Sequence, residues 1–122
     1  MHWSDKYMGM EYDEDSFDCA TFALTVARER GINATLPTYT LKDSKSHSLI
    51  CEFKDDYAKP VEGPIDGHPV ILFKDGKPSH IGVCVKIYEE WHIQHNVEKM
   101  GVIRQPMYML ESRIEGFYQW LT

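Results

Sequence analysis

The chain holds three thiols, Cys19, Cys51 and Cys84, and six imidazoles, His2, His47, His68, His80, His92 and His95. At neutral pH these side chains are the ones suited to covalent acyl transfer: a thiol becomes a strong nucleophile once a neighbouring imidazole takes its proton. Three cysteines at wide, irregular spacing fit neither a disulfide framework nor a Cys-x-x-Cys metal knuckle. At least one thiol is therefore expected to be free.

Cys19 opens a run that predicts a helix over Cys19 to Arg30. Ser16 or Asp18 is the cap, Phe22, Ala23, Val26 and Ala27 form one apolar stripe, and Gly31 is the stop. Unsatisfied N–H groups and the positive end of the dipole at a helix start favour a thiolate and can hold an oxyanion. Asp15 and Asp18 oppose this by charge, so the cysteine needs a histidine partner. Without one, a cysteine at a helix start is more often a structural residue.

His80 enters a strand predicted over Ser79 to Val85, beside a turn, where a rigid support lets a ring face a cleft. His92 and His95 lie three apart on the next predicted strand, Trp91 to Val97, so alternation puts them on opposite faces and only one can join His80. His2, His47 and His68 fall in predicted loops and are expected to be solvated. Zinc held by Cys19, His80, Cys84, His92 and His95 is the rival use of these residues. They lack tight paired spacing, and parity separates two of them, so no metal and no cofactor is expected. Cys51 and Cys84 sit within apolar patterns and read as small buried hydrophobes. The acidic run Glu11, Asp13, Glu14, Asp15 and Asp18 lacks the loop of an EF-hand and reads as a solvated face.

The elements that must position these groups follow from periodicity. The opening to Phe17 is read as irregular. Leu49, Ile50, Phe53 and Tyr57 predict a second helix ending near Pro60. A meander is then predicted from Val70-Ile71-Leu72-Phe73, a turn at Asp75-Gly76-Lys77-Pro78, Ile81 to Val85, Trp91 to Val97, and Val102-Ile103. Tyr108 to Trp120 suggests a short terminal helix, which Gly116 weakens. Helix first and meander second give an α+β class, with helices packed on one side of a small antiparallel sheet. No linker or repeat interrupts residues 1–122, so one domain is expected.

Composition narrows the partners. With 43% apolar and 26% charged residues the chain reads as globular, and no window approaches the ~18 apolar residues of a membrane span, so no membrane insertion is expected. A formal charge of -6 leaves no broad basic face for nucleic acid. The start, Met1 to Lys6, lacks the pattern of a secretory signal, so the expectation is a cytoplasmic product that another body delivers if it acts outside.

Taken in order, the motifs resemble the NlpC-type cysteine peptidases, bacterial and phage enzymes that cleave peptide-stem bonds of peptidoglycan on a papain-like core. Tyr7-Met8-Gly9-Met10-Glu11-Tyr12 is similar to the family's Gly-x-Pro-Tyr approach, and Phe17-Asp18-Cys19-Ala20-Thr21-Phe22 to its Asp-Cys-Ser-Gly nucleophile turn. Ser79-His80-Ile81-Gly82-Val83 matches its His-Val-Gly-Ile strand, and His95 followed by Gly101-Val102-Ile103 its next two strands. Glu11 in place of Pro, Ala20-Thr21 in place of Ser-Gly, and Pro64 to Pro69 in place of Gly-Asp depart from the pattern and leave substrate preference open. The compact form looks most like phage-tail members.

The resemblance implies a nucleophile helix on an antiparallel sheet, with Cys19 as nucleophile, His80 as base and His95 orienting it. Tyr12 and the Cys19 N–H would contact the oxyanion, and the reaction would run through a thioester with no cofactor. Counting from Gly101-Val102 selects His95, whereas counting from His80 selects His92. Assigning the surplus residues to the turn at Tyr88-Glu89-Glu90 favours His95. Peptidoglycan peptide stems are the implied substrate and tail or delivery proteins the implied partners. The alternatives are a non-catalytic domain of a tail-like assembly, and a cysteine amidase or acyltransferase on a non-wall substrate.

Overall fold

The structure, a computed structural model, describes residues 2–36 and 57–121. Its α-helix, α1 (Cys19–Glu29), begins where Asp18 caps it: the Asp18 carboxylate accepts the Thr21 N–H at 2.9 Å, satisfying one first-turn donor. Phe22, Ala23, Val26 and Ala27 are fully buried, as their stripe predicts. Tyr7 and Phe17 pack edge-on against the Phe22 ring. Burial of Phe22 or Val26 stabilises the fold by roughly 2 kcal/mol each.

The helix lies on a six-stranded antiparallel sheet, so the protein is α+β. Its strands are β1 (Ala58–Val61), β2 (Pro69–Lys74), β3 (Lys77–Ile87), β4 (Glu90–Val97), β5 (Gly101–Pro106) and β6 (Ile114–Trp120), in the spatial order β1-β6-β2-β3-β4-β5. β2 to β5 form the expected meander. The β2–β3 and β3–β4 turns are two residues long, Asp75-Gly76 and Tyr88-Glu89, all four residues with positive φ, the geometry that matches strand twist. The surplus residues assigned from sequence to the Tyr88-Glu89-Glu90 turn are therefore not in the tip. Glu90 already pairs with Ile87 at the start of β4.

At the sheet's other end the expected second helix falls almost wholly outside the described residues: Tyr57, its last residue, is helical, and the chain is extended from Ala58 as edge strand β1, where Pro60, without an N–H, is tolerated. Leu49, Ile50, Phe53 and Cys51 lie outside the described residues, as does His47. The tail is a 3-10 turn at Met107–Arg113 followed by β6, which inserts between β1 and β2. Only its first half is helical.

Residues of alternating parity divide the sheet into two faces. Ile71, Ile81, Val83, Val85 and Val102 join the core beneath α1, while Val70, Leu72, Cys84, Ile93 and Leu110 form a second cluster on the other face. The opening segment is tied down rather than irregular throughout. It contains a 3-10 turn at Asp5–Tyr7, Arg104 donates to Ser4 Oγ and Asp5 Oδ1, and buried Gln94 donates to the Ser4 carbonyl.

Candidate active site

The start of α1, the entry of β3 and the ends of β4 and β5 converge on one pocket of about 500 Å3. Cys19, His80, His95 and Tyr12 all line it. Each is held there by a local cause.

Cys19 is fixed by the turn before it. Asp13 and Phe17 exchange backbone hydrogen bonds, and the Asp13 carboxylate accepts the N–H groups of Asp15 and Ser16, which hold its pKa below the usual range. Part of the acidic run thus builds a turn. Buried Asn96 on β4 then donates to the carbonyls of Phe17 at 2.7 Å and Asp18 at 3.4 Å, stitching the nucleophile turn to the sheet. Its Oδ1 has no hydrogen-bond partner among the described residues. Sequence reasoning did not single out Asn96; its parity, opposite to His95 on the same strand, was the available signal.

His80 and His95 meet directly. His80 Nε2 lies 2.8 Å from His95 Nδ1, with the two rings edge to face, and His95 Nε2 lies 2.7 Å from Gln105 Oε1 on β5. Both histidines are buried, and burial lowers both pKa values, that of His80 to about 3 with Lys74 and Arg113 adding repulsion. Gly82 adjoins this pairing. A Cβ there would stand 2.8 Å from Ile93 Cγ2 and 3.3 Å from Val70 Cγ1, so a side chain at 82 would press on those two residues, while His95 Cβ at 3.4 Å would be in ordinary contact.

His92 sits elsewhere. It is half-buried, opposite Val85 and Pro106, and its Nδ1 lies 3.2 Å from the Glu90 carbonyl. Cys84 lies among the apolar residues of the second cluster, where burial pushes its pKa up to about 12. Of the five residues of the zinc reading, Cys84 and His92 therefore stand apart from Cys19, His80 and His95. His2 and His68 are not simply solvated: His2 Nε2 lies 2.9 Å from the Lys86 carbonyl, and His68 Nδ1 accepts the Trp120 N–H.

Tyr12 reaches the pocket because the segment before it runs along β5. Gly9 N–H donates to the Val102 carbonyl and Val102 N–H to that of Met10. Gly101, at φ +79°, permits the approach, since a Cβ there would lie 2.5 Å from the Met10 carbonyl oxygen. Burial, then the charges of Cys19 and Asp18, raise the Tyr12 pKa to about 12, so the phenol is a hydrogen-bond donor at neutral pH.

The electrostatics of Cys19 depart from the sequence expectation. The residue is 3% exposed, and burial raises its pKa to about 12. The Asp18 charge raises it further, while the N–H groups of Ile81 and Ala20 pull the other way and lose. At a buried helix start, desolvation outweighs the dipole, and the resting thiol is neutral. His80 shares its strand parity with Gly82 and Cys84, the face away from α1, and no hydrogen bond joins its ring to Sγ in the described structure. Sulfur and ring share the pocket without being paired.

Lys74 and Arg113 stand on the pocket wall with Glu14 and Glu98 opposite in charge, and Lys74 pairs with Glu98 at 3.9 Å. Among the described residues no helix is long and apolar enough to cross a membrane. No family model, curated protein or solved structure matches the chain.

Proposed function

We propose that the protein is a cysteine hydrolase of the NlpC type, on a papain-like core, that cuts peptide or amide bonds of peptidoglycan stems and is delivered by a phage tail or secretion apparatus. One observation carries the reading: a cysteine at a helix start and a histidine bonded to a second histidine open into one pocket. The substrate class rests on the sequence resemblance.

The chemistry follows from the groups in place. His80 Nε2 is engaged by His95, which leaves Nδ1 to take the Cys19 proton as Sγ attacks the acyl carbon. Since the resting thiol is neutral, proton transfer and attack proceed together as substrate draws Sγ and the ring within hydrogen-bond reach; such contacts are often long before substrate binds. The Tyr12 hydroxyl and the Cys19 N–H, a first-turn donor without an intrahelical acceptor, stabilise the oxyanion. The imidazolium returns its proton to the leaving amine, and the thioester is hydrolysed by water activated at His80.

A second reading, a non-catalytic domain of a tail-like assembly, is favoured by the deep burial of Cys19 and by the missing Sγ–imidazole bond. Digestion of purified peptidoglycan, with released fragments identified by mass, separates the two. Wild-type protein is expected to release stem fragments and Cys19→Ala none. Absence of fragments from wild type, or equal release by both, refutes the hydrolase.

A further inference from the structure

The His80–His95 contact can be made by either of two proton arrangements, and they differ in function. In one, His80 carries its proton on Nε2 and Nδ1 is bare. In the other, His95 Nδ1 donates to His80 Nε2, and His80 Nδ1 is protonated and useless as a base.

We propose that Gln105 is a positioning residue that selects the first arrangement: its amide oxygen, acting through His95, fixes the tautomer that leaves His80 Nδ1 free to accept a proton. Gln105 shares its strand parity with Ile103 and faces Ile93 in register, one step along from the Ile103–His95 pair, so its side chain lies diagonally across from His95. Its Oε1 is 2.7 Å from His95 Nε2.

The assignment is proton counting. Both rings are buried and neutral, so each carries one N–H. An amide oxygen only accepts, so the His95 proton is on Nε2. His95 Nδ1 is then a lone pair, and the 2.8 Å contact to His80 is a hydrogen bond only if His80 Nε2 donates. His80 Nδ1 is left unprotonated. A donor at position 105 would reverse every step and place a proton on the nitrogen that should receive one from Cys19.

The tautomer is independent of turnover; its use in catalysis rests on the hydrolase reading, and the two fail separately. Long-range proton–nitrogen NMR of the ring nitrogens in full-length protein at pH 8 reads the tautomer directly. Wild type is expected to show His80 and His95 both protonated at Nε2. Gln105→Met, which keeps the length and removes the acceptor, is expected to shift His80 partly or wholly to the Nδ1–H form. If stem fragments are released, kcat is expected to fall roughly tenfold or more with KM within about twofold. A His80 Nδ1–H signal in wild type overturns the assignment and needs no variant. An unchanged His80 tautomer in folded Gln105→Met overturns the role of Gln105. If the tautomers are as expected and no substrate is cut, the hydrolase reading falls and the proton assignment stands.

Discussion

Acidification should unfold this protein earlier than its carboxylates alone require, and the histidine pair sets the size of the effect. An unfolded histidine takes up a proton near pH 6.5, whereas His80, buried against His95, Lys74 and Arg113, stays neutral until about pH 3. Its folded pKa is depressed, so its contribution to stability is complete above pH 6.5 and is lost as pH falls toward 3. Between pH 7 and 5 the unfolded state gains about 2 kcal/mol from this one residue, equivalent to a fall in Tm on the order of 8 °C for a chain of this size. His95, lowered for the same first cause, acts in the same direction. Asp5, Asp13 and Glu29, whose pKa values are also lowered, lose their contributions only below the ordinary carboxylate range, so the window isolates the histidines. Urea titrations at pH 7, 6 and 5 on wild type and His80→Gln measure it, the amide being able to keep the bond to His95. The variant is expected to lose about 2 kcal/mol less than wild type between pH 7 and 5. Equal losses in both proteins would refute a buried neutral His80.

Cys19→Ala is expected to abolish turnover with the thermal melt unchanged, while Cys84→Ala, in the second apolar cluster, lowers stability and keeps turnover; the opposite pattern in paired assays moves the nucleophile. His95→Ala should depress kcat on the order of a hundredfold, and His92→Ala little, because only His95 touches His80; the reverse ranking in folded variants makes His92 the orienting residue. Gly82→Ala should cost roughly 1–3 kcal/mol by urea titration, since its Cβ would press on Ile93 and Val70; an unchanged urea midpoint would mean that Ile93 has room to give.

Much of the site was legible because it depends on local rules. The α1 boundaries follow from the Asp18 cap and Gly31, and the meander from β-branched runs around Asp75-Gly76. Strand parity put His95 and His92 on opposite faces, and the choice of His95 came from counting back from Gly101-Val102 in the family pattern. What parity could not give was the partner across strands: Gln105 and Asn96 act through β4–β5 register and through contact with a turn far away in sequence. The same non-local pairing hid β1 and β6, which meet across more than fifty residues and whose own patterns look helical or mixed. The protonation of Cys19 was out of reach of the sequence for a different reason. Helix-start electrostatics can be read from sequence, but the burial that overrides them exists only in the folded chain.

The account turns on whether Cys19 carries the acyl group. Acid quenching of a peptidoglycan digest during turnover, followed by peptide mapping of the protein by mass, tests this most directly. A stem-peptide adduct on the Cys19 peptide of wild type, absent from Cys19→Ala and diminished in His80→Gln, is the expected result. Release of stem fragments with the adduct on Cys51 or Cys84, or continued release by Cys19→Ala, would contradict it.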